Sequence, residues 1–451
     1  MKRNELSMKE SGIKRKVIGI ALSAAIGIQV LSGGLSGEQV YGASGPVTID
    51  AANFPDEAFR NYVEDNFDTD NDSTLSEAEC AAVTKIEVDE LGITDLTGIE
   101  FFTNLKWLSC DKNNLSSLDI SQNTALTYLD CSENPLGNLD VSANTALQML
   151  FCLKSELDVL DVSANPNLKT LWCSINHLSV LDVSANPNLT ILECGMNDLS
   201  TLDVSQNMAL TQLMCDNNHF NDLDISHNPA LEILWCQGNN LSTLDVSQNP
   251  ALKELWCYEN NLTSLDVSHN SALEKLWFYG NKLTSLDLSA NPAINSLLSY
   301  DNGTTVTAYH TGDTYYVDLS GLSLDKSRVE NWGTGSYSAE TGRITFTTPL
   351  AVGDIVRYNY ATGQGDMVML VNLEITEVVE NESTDTGSIG TVTPDVATPD
   401  TTTPGTAATA SAEQKPASPK TGDMASLVWI CILCLFSMAG AVQFSKKKGL
   451  R

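Results

Sequence analysis

Between Asp68 and Glu79 the chain sets oxygen-bearing side chains at almost every second position: Asp68, Asp70, Asp72, Thr74 and Ser76, then Glu79. Hard oxygen donors at that density suit a hard cation such as Ca²⁺. Softer ligands recur as well, for Cys110, Cys131, Cys152, Cys173, Cys194, Cys215, Cys236 and Cys257 are spaced by 21 residues. A uniform ladder does not converge on a tetrahedron, and no C-x-x-C pair occurs between residues 43 and 421, so a zinc site is not expected. Disulfides are not expected either. Neighbouring ladder positions stand about 4.8 Å apart with parallel Cα to Cβ vectors, whereas a bridge needs Cβ atoms about 3.8 Å apart and converging. For catalysis there is no H-E-x-x-H, no G-x-S-x-G and no phosphate-binding loop, and the histidines are five: His177, His219, His227, His269 and His310. A carboxylate pair beside aromatic rings, acting on glycans, is the hydrolytic alternative left open.

One period generates the elements that would position these groups. From about Leu105 to Asn302 the unit L-x-x-L-x-C-x-x-N-x-L-x-x-L-D-V-S-x-N-x-A runs ten times, with Phe278 and Ser299 in the last two cysteine slots. Self-similarity of this kind means stacked units that share one continuous core. In L-x-C alternate side chains point to opposite faces, so Leu and Cys face inward and the residues between them face out. Stacked turns then form a parallel sheet, and so short a coil leaves no room for a full helix on its outer side. The L-D-V-S-x-N stretch must bend tightly instead, because Asp, Ser and Asn side chains bond to nearby backbone. Its aspartates, Asp119 through Asp287, have a competing use as a row of cation ligands.

Each strand of the array exposes three positions on its concave side, and ten of these thirty are aromatic: Trp107, Tyr128, Phe151, Trp172, Trp235, Trp256, Tyr258, Trp277, Tyr279 and Tyr300. At the chain-wide aromatic content of 7% only two would fall there, so the enrichment marks a candidate binding surface. Its ligand-binding residues are expected to be Trp172, Trp235, Trp256, Tyr258, Trp277, Tyr279 and Tyr300, with Asp130, Glu193, Asp216 and Glu254 adding polar contacts. A flat aromatic row suits sugar rings or a protein face alike. Strand preference for aromatics, or cover by the next module, are the competing explanations.

The repeat resembles the leucine-rich repeat, and its period with Cys in an inner slot is similar to the cysteine-ladder repeats of internalin-type bacterial surface proteins. That resemblance implies a parallel β-sheet horseshoe. The segment Asp68 to Glu79 resembles a single EF-hand loop, which implies Asp68, Asp70 and Asp72 as ligands, the Thr74 carbonyl, Ser76, and Glu79 as the bidentate last ligand. Ser73 stands where that family has Gly, so one weak structural Ca²⁺ site, about 0.1 to 1 mM, is expected. Helical spacing at Phe59, Tyr62, Val63 and Phe67 precedes it, giving residues 43–104 as a helical cap on the solenoid end.

The two ends carry addresses. Six basic residues and then an apolar run from Val17 to Leu31 read as a signal peptide over residues 1–42. Residues 418–451 hold Ser418, Pro419, Lys420, Thr421 and Gly422, an apolar run, and a basic tail. This is similar to a sortase sorting signal, which implies transient membrane insertion, then cleavage between Thr421 and Gly422 and attachment to peptidoglycan of a Gram-positive wall. Before it lie a β-rich stretch over 303–380, expected as a small sandwich in the place where internalin-type proteins often carry an immunoglobulin-like module, and a Thr, Pro and Ala rich stalk over 381–417. Without residues 1–42 and 422–451 the chain has 15 basic and 53 acidic residues, a balance that repels nucleic acid. The expected function is a secreted, wall-anchored binder of an extracellular protein or glycan, not an enzyme, with a passive spacer as the alternative.

Overall fold

In the computed structural model, the described residues are 45–330 and 333–381, together with the backbone pairing of Ser23 and Ala24 against Asn165 and Ser163. Leucine spacing dictates the centre of the molecule. Eleven three-residue strands stack in strict chain order into one parallel sheet, from Lys85–Glu87 to Ser296–Leu298. Leu108, Leu129 and Leu150 lie in register, as do Leu234, Leu255 and Leu276, and all are fully buried. This is the leucine-rich-repeat solenoid. Its first strand precedes the ten periodic copies: Ile86 and Val88 fill the Leu and Cys slots, but Lys85 pairs with Trp107, one residue out of period.

Amide side chains join the turns. Asn134 Nδ2 donates to the carbonyls of Cys110 and Cys131, while its Oδ1 accepts from Leu115 N. A second row on the outer bend donates likewise, Asn207 Nδ2 to Val183 O and Asn186 O from a position with no exposure, but its Oδ1 is buried without a partner. Between these rows each aspartate turns the bend, as Asp182 Oδ1 accepts from Ser184 N at 2.8 Å. Backbone carbonyls buried between stacked turns thus find amide donors, as buried backbone requires. The ladder cysteines are buried free thiols, and burial pushes them well above their usual range. As each strand leaves the concave side the chain turns through a left-handed residue, and the repeat supplies it with ordinary residues at Lys112, Glu133, Lys154, Ile175, Met196, Asn217 and Glu259.

The helix Glu57–Phe67 starts at Asp56, whose carboxylate accepts from Ala58 N and Phe59 N and also from Thr94 N. It buries Phe59 and Val63, and a ring cluster of Phe54, Phe59, Phe67 and Phe102 closes the open end of the core. Gly98 allows this, because a Cβ there would lie 2.3 Å from the Phe54 ring. A second helix, Glu77–Ala82, begins with a capping box between Ser76 and Glu79.

At the other end the chain runs from the last amide rung, Asn302, directly into the strand Asn302–Thr311. That strand pairs in parallel with the final one, Val368–Glu380. The module is all-β, but hydrogen bonds connect its seven strands into one mixed sheet rather than the two sheets a sandwich has. Register shifts between Val306 and Thr307 within its two longest strands, which bends them without a break. The module seals the outer bend of the last turn: Tyr358 Oη donates to Thr284 O at 2.7 Å, and Arg328 pairs with Asp287 at 3.0 Å.

Candidate functional site on the concave face

Three columns of side chains line the concave face, one before the strand Leu, one between Leu and Cys, and one after the Cys. In the middle column Trp235, Trp256 and Trp277 occupy adjacent strands in register. Turns at sheet spacing bring flat rings almost into contact, and these stack at 4.1 and 4.2 Å with interplanar angles of 3° and 5°. The consequence corrects the expectation from sequence. Trp235 and Trp256 are each only 6% exposed, their faces covered by one another, so no ring face is open to a ligand there. Trp235 Nε1 donates to Glu254 Oε1 at 3.1 Å, and Lys275 pairs with Glu254 at 2.7 Å.

The column after the Cys behaves differently. Tyr258, Tyr279 and Tyr300 stack at 4.3 and 4.4 Å, but the first two are half-buried and Tyr300, on the last turn of the sheet, is 45% exposed. At the opposite end Trp107 stacks on Tyr128 at 3.5 Å, and Trp172 meets Phe151 edge-on at 4.9 Å. Trp172 and Trp277 are half-buried. Ring stacking thus divides the expected site residues into a covered tryptophan ladder and an accessible set of Tyr258, Tyr279, Tyr300, Trp277 and Trp172.

The expected polar contacts are redistributed too. Asp130 is half-exposed, whereas Glu193, Asp216 and Glu254 are buried. Burial and then the nearby Asp216 carboxylate push Glu193 up to about 7, and burial pushes Asp216 up to about 6. Asp111, which sequence reasoning passed over, also rises to about 7, through burial and a bond shared with Asp89. Its signal was available, since Asp89 and Asp111 take the same slot on successive turns.

In the cap, Asp68, Asp70 and Glu79 offer oxygens that all lie within 4.8 Å of one another. Asp72 is turned away, its Oδ1 accepting from Thr74 N and Thr74 Oγ1, and Ser76 Oγ donates to Glu79 Oε2 at 2.8 Å. Of the four acidic ligands expected, then, three converge. Neighbouring Asp72 raises Asp70, whereas bonds from Thr69 and Ser76 hold Glu79 down at about 2. Ser73 takes φ 63°, so it adopts the left-handed turn that glycine ordinarily provides. Convergent hard oxygens and that turn fit a calcium ion. The sorting-signal residues Ser418, Pro419, Lys420, Thr421 and Gly422 and the signal peptide, apart from the backbone of Ser23 and Ala24, lie outside the described residues. Among the described residues no helix is long and apolar enough to cross a membrane.

No family model matches the chain. Internalin J of Listeria monocytogenes serotype 4b (strain F2365) is 41% identical over 71 residues, 16% of this chain and 8% of that protein. Internalin J of serovar 1/2a (strain ATCC BAA-679 / EGD-e) is 42% identical over 71 residues, again 8% of its length. The matched stretch therefore spans less than a tenth of these curated relatives. Among solved structures, the functional domain of InlJ from Listeria monocytogenes, described as including a cysteine ladder, is 27% identical. That comparison covers 74% of this chain and 99% of the other, with a TM-score of 0.39. The likeness is to internalin-like leucine-rich-repeat proteins.

Proposed function

We propose that this chain is a surface protein that captures an extracellular protein or glycan on the concave face of its solenoid. One observation carries the reading: the tyrosine ladder ends in Tyr300, a large ring that is 45% exposed beside two half-buried neighbours. Isolated folding gains nothing from such a ring left in water, whereas a partner gains apolar area with few rotamers to freeze. Similarity to internalin J over 71 residues supports a surface role. Signal peptide and sorting signal extend it to secretion and to sortase-catalysed attachment to peptidoglycan through Thr421, a reading that rests on the sequence of residues 418–451.

The test is binding of the purified protein to an array of glycans and extracellular-matrix proteins, beside a Tyr258→Ala, Tyr279→Ala, Tyr300→Ala variant. Binding that the variant loses while keeping its melting temperature within a few degrees establishes the face and the ligand class. Equal binding by both proteins moves the site elsewhere, and no binding by either favours a passive wall spacer. Wall attachment is tested by sortase treatment, where replacement of Thr421 by Ala should leave the chain unlinked.

A Ca²⁺ ion held by Asp68, Asp70 and Glu79 is the second part of the proposal, and its role is structural. The ion would supply charge neutralisation for three carboxylates and brace the cap between its two helices. Calcium at ten times its dissociation constant should add about 1.4 kcal/mol to stability. The calcium-dependent rise in Tm should vanish in Asp68→Ala, Glu79→Ala; an unchanged rise removes the metal from the proposal.

A further inference from the structure

Between the tryptophan ladder and the N-terminal rings, the middle column is interrupted. Glu193 lies in register with Trp172 on one side and Met214 on the other, so here no ring stacks on a ring. Asp216 leans over the backbone of the Glu193 turn. Gly195 makes room for it, since a Cβ at 195 would lie 2.6 Å from Asp216 Oδ1. Glu193 and Asp216 are each only 8% exposed, and among the described residues neither forms an ion pair with Lys, Arg or His. Asp216 accepts from Asn217 Nδ2 at 2.7 Å and from its own backbone amide. The next turn adds Gln237, 2% exposed, whose Oε1 is buried without a partner, as is Glu193 Oε2; the Ser174 hydroxyl is the donor that reaches the Glu193 carboxylate. Trp172, in register with Glu193, adds a buried Nε1 donor that has no partner.

Two buried acids and an unmatched amide oxygen on three successive turns share one lack. Once ionised the two carboxylates repel one another, and among the described residues no cationic side chain pairs with them. A neutral hydroxyl would satisfy the oxygens but not the charge. We propose that this interruption on the concave face, built from Glu193, Asp216 and Gln237, is a recognition site for a cationic side chain, arginine above lysine, on a protein partner. A guanidinium presents several donors in one plane, and can lie against an indole, which Trp172 offers at the rim. Docking turns the buried Glu193 Oε2 toward the groove, where the added charge compensates both carboxylates. The site rests on the concave-face reading and narrows its ligand to a protein with a protruding basic residue.

The test uses the full chain and two small probes, Nα-acetyl-arginine amide and its neutral counterpart Nα-acetyl-citrulline amide. The readout is the Trp172 indole N–H signal, assigned with Trp172→Phe. Arginine amide should shift that signal saturably, citrulline amide should not, and Glu193→Gln, Asp216→Asn should weaken arginine binding by at least about tenfold. Circular dichroism of the double variant, expected to stay folded, shows that loss of binding is not loss of structure. An equal response to citrulline, no saturable shift with arginine, or full binding in the double variant overturns the proposal. So does a response to a neutral disaccharide without one to arginine amide, which would assign the site to a glycan. A partner lost with the tyrosine variant but indifferent to Glu193→Gln, Asp216→Asn sinks this site alone and leaves the concave-face reading standing.

Discussion

The same repeats carry two sets of carboxylates, and they live under opposite conditions. On the outer bend Asp182, Asp203 and Asp224 each accept from the serine amide two residues on, and those serine bonds hold the acids below their usual range. On the concave side Glu193 and Asp216 rise because burial takes them out of water with few donors in exchange. An acid that is bonded by its own turn belongs to the scaffold. An acid buried without compensation costs stability, and a fold keeps such a cost where something else depends on it.

The contrast yields measurable consequences. The largest concerns the ring ladder beside the buried acids: Trp256→Ala should cost 3 kcal/mol or more, roughly the cost of emptying a core, because Trp256 is packed between two indoles. A change below about 1 kcal/mol in urea unfolding would return that ring to the exposed surface.

Next comes pH. Glu193 rises from 4.5 to about 7 in the folded chain, so the native state holds a proton that the unfolded chain has already released. Stability from this group is complete below about pH 4.5 and is lost as pH climbs through 7. Glu193→Gln should remove that decline and leave the protein more stable above pH 7, on the order of 3 kcal/mol at most. Urea midpoints measured from pH 4.5 to 8 decide it, and parallel curves for variant and parent would cancel the assignment.

Asp182 obeys the reverse sign. Its folded value is lowered from 3.8, so its contribution is present above that pH and lost as pH falls through the folded value. Asp182→Ala should cost about 1 kcal/mol at neutral pH and leave binding untouched. The smallest effect sits where the strand exits: Ile175 takes φ 56°, so Ile175→Gly should be stabilising by roughly 0.5 to 1 kcal/mol, read as a small rise in Tm.

The period made the solenoid legible, since Leu, Cys, Asp and Asn each recur in one slot. It also concealed the first strand, because Ile86 precedes Leu108 by one residue more than the repeat length. For the site, strand alternation correctly assigned Trp235 and Trp256 to the concave side. Facing out is not being exposed, and rings placed in one slot at sheet spacing close on each other. Glu193 and Asp216 sit in different slots of successive turns, so no column of the sequence brings them together. Gly195 lies between them, where a Cβ would come within 2.6 Å of Asp216 Oδ1, a side chain 21 residues away.

One consequence of the amide rungs concerns the gene. Each turn offers the next the same carbonyls and the same asparagine, so an in-frame loss or gain of one whole unit can re-form every rung across the seam. Length is then free to vary by unequal recombination while the two capped ends stay intact. The interruption at Glu193 would keep its distance to one terminus and change it to the other, so such a lineage could alter the reach between its contact points without altering any contact.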